Sequence, residues 1–228
     1  MSRLLPLAFA VGIVAASTAA LAAPTPERVR GTVKSVSDTV LVVHTTSGSD
    51  ETVNLTGTTG YLEVTNSNLN RIEKDSYIGV ATKSIGDKLV ALGVLIFPPS
   101  LKGASEGHFN WDSIPDTTLS GGAVSNSAMT NGTVTVTQPV TDASNSTMTN
   151  GTVSSAGTSG GAKQLTVTYK GGKQTVLVPP TTSVVTVSPG AKSDVTAGKA
   201  VFINAARQDG ALTAEAIFVG VDGAKPPI

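Results

Sequence analysis

Seven consecutive residues hold the densest chemistry in the chain: Glu106-Gly107-His108-Phe109-Asn110-Trp111-Asp112. Carboxylate oxygens and an imidazole are ligand types that divalent transition metals accept, with His favouring zinc, copper or nickel. Glu106, His108 and Asp112 are therefore a candidate metal site. A zinc centre needs three or four ligands at about 2.0–2.2 Å, and this stretch alone offers three at best. The alternative is structural. Trp111 would anchor the segment by burying its indole, with Phe109 beside it and His108 hydrogen-bonded to nearby backbone. The structural reading is preferred.

Catalysis finds little support elsewhere. Cysteine is absent, and the histidines are His44 and His108. An abundant Ser or Thr hydroxyl is inert without a positioned base. The expectation is a non-enzyme without a cofactor. Lys170-Gly171-Gly172-Lys173 lacks the spacing of a phosphate-binding loop and no helix follows it, so it reads as a hairpin turn. His44 ends a predicted strand and should face solvent. Nine aromatic residues in 228, several at predicted core positions, argue against a platform that stacks bases or sugars.

The N-terminus reads as a secretory signal. Arg3 supplies the positive charge, Leu4 to Ala16 the apolar stretch, and Ala20-Leu21-Ala22 the small-x-small site, which places cleavage after Ala22. The apolar stretch is shorter than the roughly 20 residues a spanning helix needs. The expected product is a soluble periplasmic protein with no transmembrane span after the signal peptide. Loss of Arg3 leaves 15 basic against 16 acidic residues, net −1. With no basic excess, a nucleic-acid partner is not expected. Without cysteine, the fold must rely on its core.

Short alternating apolar runs separated by Gly, Asp, Asn or Pro predict β structure. They fall at Val29–Val33, Val40–Val43, Val53–Leu55, Tyr61–Val64, Tyr77–Thr82 and Leu89–Phe97. Leu69 and Ile72, three apart, suit one helical turn that plugs a barrel end. The order then repeats. Gln164–Tyr169 echoes Val40–Thr45, Lys173–Val178 echoes Asp50–Leu55, Ala200–Ala206 echoes Tyr77–Thr82, and Ala211–Val219 echoes Leu89–Phe97. Two copies of one β-unit are predicted. A sharper duplication sets Ser125–Val134 against Ser144–Val153, which differ only at Ala128 and Thr147. Thr149–Val153 is taken to open the second unit, leaving the earlier copy redundant.

These pieces resemble a family of exported bacterial proteins with an OB-like domain of unknown function, some of them labelled metal-transporter permeases. The resemblance rests on Val29–Val33, Asp75–Val80, Leu95–Pro98, Gly103–Asp112 and Lys170–Pro180. It implies small five-stranded barrels and brings no activity. A permease needs several spanning helices, which this chain lacks.

The expected fold is all-β: two small OB-like five-stranded barrels in tandem, joined by a long irregular linker. The expected divisions are a signal peptide (1–22), a first β-domain (23–97), a linker carrying the duplicated segment (98–148) and a second β-domain (149–228). The expected function is a non-enzymatic binding or interaction protein. Its partner is an unknown envelope protein or a small ligand. The alternative is a small-ligand or divalent-metal binder acting through residues 103–112.

Overall fold

The computed structural model describes residues 23–116, 124–139 and 161–227. The predicted leader and the second copy of the duplicated segment lie outside them. Among the described residues no helix is long and apolar enough to cross a membrane.

The all-β expectation holds. Thirteen strands follow in order: β1 (Thr25–Val36), β2 (Val40–Thr45), β3 (Asp50–Asn54), β4 (Gly60–Asn66), β5 (Tyr77–Ile85), β6 (Lys88–Phe97), β7 (Gly107–Pro115), β8 (Val124–Pro139), β9 (Lys163–Tyr169), β10 (Gly172–Val178), β11 (Ser183–Pro189), β12 (Ala200–Gln208) and β13 (Ala211–Gly220). They belong to one thirteen-stranded sheet. Tight turns set the registers. Gly171 (φ 103°) closes the β9–β10 hairpin, the turn expected of Lys170-Gly171-Gly172-Lys173.

The tandem arrangement is not what the pairing shows. β1, β2 and β3 pair in sequence, β3 meets β13 through Thr213 and Asn54, and β13 returns through β12 to β1. A second circuit runs β8, β9, β10, β6, β5 and back to β8. Each circuit is thus completed by the last hairpin of the other half. β4 and β11 pair antiparallel between them, and each also runs parallel to the other half's final strand.

The side chains repeat the symmetry. Leu41, Val43, Val53, Ile203 and Ile217 fill the first circuit. Their equivalents Leu165, Val167, Val176, Val80 and Val94 fill the second. Ile72, just past the 3-10 turn Leu69–Arg71, is buried in the second circuit, and Val195 is its counterpart in the first. The predicted turn therefore packs into a circuit, and that circuit draws its strands from both halves. A third cluster, including Val64, Leu95, Val187, Phe202 and Phe218, fills the space between the circuits.

The linker expectation for 98–148 also needs correction. This span supplies β7 and β8, and β8 is held by β5, β7 and β9. The first copy of the duplicated segment lies in β8 and opens the described second half; Thr149–Val153, expected to open it, lie outside the described residues. Val134 donates to Ser76 O (2.8 Å) and accepts from Asp75 N (2.7 Å), just as Val33 donates to Lys199 O (2.9 Å) and accepts from Gly198 N (2.8 Å). The preceding glycines agree. A Cβ on Gly31 would lie 2.1 Å from the His44 carbonyl oxygen, and one on Gly132 would lie 2.4 Å from that of Thr168. Only glycine allows so close a backbone approach.

Candidate functional site

Glu106, His108 and Asp112 are drawn to three different places. Glu106 Oε1 accepts from the Lys170 backbone N–H at 3.1 Å, which ties the lead-in of β7 to the β9–β10 turn. His108 is exposed; its Nδ1 lies 2.8 Å from Thr130 Oγ1 and its ring stacks on Tyr169. Asp112 faces β1, where its two oxygens accept from Arg28 Nη1 and Arg30 Nη1, each at 2.8 Å. Among the described residues no three His, Asp or Glu side chains are grouped to hold a metal ion.

A bulge explains the placement of Asp112. Pairing of β7 with β8 slips between Trp111 and Ile114. A bulge breaks strict alternation and re-aims a side chain. Trp111 and Asp112, neighbours in sequence, therefore both reach β1. The Arg28 guanidinium lies 3.7 Å from the Trp111 ring centroid, a cation–π contact reinforced by the carboxylate that holds the same arginine. The indole also packs against Phe109 and Phe202, with centroids 5.8 and 6.1 Å away. Trp111 Nε1 is buried without a hydrogen-bond partner.

These rings form part of a cleft of about 360 Å³ between the two circuits. Strand alternation builds it. On β12, Val201, Ile203 and Ala205 point into the first circuit, so Phe202 and Asn204 point outward into the space between. Phe218 on β13 does the same, its ring tilted against that of Phe202 with centroids 5.6 Å apart. Tyr77 and Phe97 come from β5 and β6, Phe109 and Trp111 from β7. Six of the nine aromatic residues of the chain line this one cleft. Leu62, Leu95 and Met129 complete the apolar wall.

Gly79 on β5 holds the place that Phe202 holds on β12 and also lines the cleft. A Cβ on Gly79 would lie 2.6 Å from Asn131 Oδ1 and 3.0 Å from Phe97. The symmetry is broken here by a large side chain facing a missing one.

Polar groups stand at the rim. Asn131 Nδ2 donates to Ser105 O (3.0 Å) and Tyr77 Oη to Ala104 O (2.7 Å), which fixes the loop before β7. Burial, with Glu106 nearby, pushes the Tyr77 phenol above its usual pKa, so it stays a donor. Glu27 is clamped by Arg207 Nε and Nη2 at 2.5 and 2.7 Å, and that hydrogen bonding holds its carboxyl below the usual range. Glu215 and Asn204 also line the cleft.

The aromatic cleft escaped sequence reasoning, which counted aromatic residues without placing them. Alternating apolar residues on both faces of Ala200–Ala206 were its one available signal, since such a strand is covered on both sides. No protein-family model matches the sequence, and no curated protein or solved structure matches it either.

Proposed function

We propose that this chain is an exported, non-enzymatic binding protein whose ligand site is the aromatic cleft between the circuits. We read each circuit as an OB-like barrel finished by the other half's last hairpin. The observation that carries the functional reading is the gathering of six aromatic side chains in one concave site. Ligand pockets are typically clefts of about 300–1,000 Å³, lined by apolar and aromatic groups with a few polar ones for orientation. The ligand is accordingly small and mainly apolar. The arginines beside the cleft are committed to Asp112, and no nucleophile with a base lines it, which favours binding over chemistry. Export rests on the leader, and the periplasm is the compartment it implies.

N-phenyl-1-naphthylamine, a neutral apolar fluorophore, is the first probe. It should brighten on binding and perturb the emission of Trp111, the only tryptophan. Ala216→Phe, which fills the cleft, should abolish both signals while the far-ultraviolet spectrum is kept. Unchanged probe binding in that variant would remove the cleft from consideration.

A further inference from the structure

We propose that the cleft selects small organic cations, an ammonium on an apolar body, with Glu215 as counter-ion and Asn204 Oδ1 as a second acceptor. This rests on the cleft being the ligand site.

The argument begins with a bulge. Pairing of β12 with β13 slips between Asn204 and Ala205, whose partners are Ala216 and Ala214, so Glu215 is the extra residue. Pairing of β5 with β6 slips at the equivalent point, and there the extra residue is Leu92. Leu92 is fully buried between the circuits. One structural position thus carries a buried leucine in one half and an exposed carboxylate at the cleft in the other. Packing does not demand the carboxylate, because its counterpart is apolar.

Charge accounting around the cleft isolates the same residue. Glu27 is paired with Arg207, and Arg28 and Arg30 share Asp112. Among the described residues Glu215 has no ion pair or hydrogen bond to its carboxylate, and the Asn204 side chain has none either. The cleft therefore presents one carboxylate without an ion pair beside aromatic walls. Aromatic faces are themselves negative and attract cations. A carboxylate ligand would meet repulsion from Glu215. A neutral one would gain nothing from it.

Three probes with matched bodies separate the possibilities: phenethylamine, 2-phenylethanol and 3-phenylpropionate, each titrated against Trp111 emission excited at the red edge. The amine should bind about five- to tenfold tighter than the alcohol, the range expected of one partly exposed ion pair with a hydrogen bond. The carboxylate should bind weakest. Glu215→Gln should bring the amine level with the alcohol and leave the alcohol's Kd within about twofold. Equal binding of amine and alcohol by the unaltered protein, or an amine preference that survives in Glu215→Gln, would overturn the proposal and leave the cleft as a binding site. Silence with all three probes would overturn the cleft assignment too.

Discussion

Val64 and Val187 sit opposite each other in the β4–β11 pair, and each holds the place in its own half that the other holds in the second. The approximate twofold axis of the chain passes between them. Both are buried in the cluster between the circuits. Residues that meet their own equivalents in this way would lie at the centre of a symmetric dimer. Here both partners belong to one chain, and the flanking hairpins are exchanged around them.

Exchange makes each half dependent on the other. A fragment of residues 23–120 holds β1, β2 and β3 without β12 and β13, and β5 and β6 without β8 and β9. Alone at low micromolar concentration it should show no cooperative thermal unfolding. Co-expressed with residues 121–228, it should co-purify and regain a sharp transition by circular dichroism. A monomeric, cooperatively unfolding 23–120 fragment would refute the exchanged pairing.

The duplication offers a second test. Deleting 141–159 leaves β8 and β9 whole, joined by four residues, and should change stability by no more than about 0.5 kcal/mol because loop length costs little. Deleting 125–143 moves Ser144–Val153 into the place of β8 and puts Ser154 to Thr158 where Thr135 to Pro139 stood. That variant should still fold but lose about 1–3 kcal/mol through poorer strand residues. Urea denaturation of both deletions is the measurement.

Gly31→Ala and Gly132→Ala should each cost about 3 kcal/mol or more, since a Cβ there would push against a backbone carbonyl. The two penalties should be similar, as the two sites are equivalent. A mild Gly132→Ala would show that Asn131–Val134 is wrongly placed in β8.

Trp111→Ala should destabilise by about 3–4 kcal/mol. Trp111→Phe should cost much less, because it keeps ring packing and removes a buried N–H that has no partner. Asp112→Asn should cost about 1 kcal/mol, a value held down by the partial exposure of the pair. Thermal melts with and without zinc also address the metal question: His108→Ala should leave them unchanged.

Glu27 ties acid stability to the same region. Its folded-state pKa is lowered by Arg207, so its contribution is fully present above the unfolded value of about 4.3 and is lost as pH falls through the lower folded value. Glu27→Gln should be less stable than the parent by under about 1 kcal/mol at pH 7. The gap should close as acid protonates the parent carboxyl. A constant difference from pH 7 to pH 2 would assign the effect to packing instead.

Much of the fold is legible in the sequence. The echoes of Leu41 and Val43 in Leu165 and Val167, and of Val53 in Val176, are true structural equivalences because strand alternation fixes which residues face inward. The exchange is not legible. Two copies with the same pattern of apolar positions offer equally good partners, and one-dimensional patterning cannot say which copy supplies the last hairpin. The alternation of apolar residues in β7 breaks at the bulge between Trp111 and Ile114, and Ser, Asn and Thr make up half of β8, so neither reads as a strand; what holds them in the sheet is pairing on neighbouring strands. Glu106–Asp112 stands out in the sequence by its chemistry, but its polar side chains part to three separate places. Its partners Arg28, Arg30 and Phe202 lie far away in sequence, and no local spacing points to them.

The exchanged hairpins also set an order of events. Strands β1 to β3 cannot complete their circuit until β12 and β13 exist, and those are synthesised after all the other described strands. Pairings so distant along the chain fold slowly, and unpaired strand edges are open to aggregation meanwhile. Synthesis delivers the first strands early and leaves them waiting, so the nascent protein is at its most vulnerable until β12 and β13 arrive. A helper that shields apolar strands would be needed most in that interval.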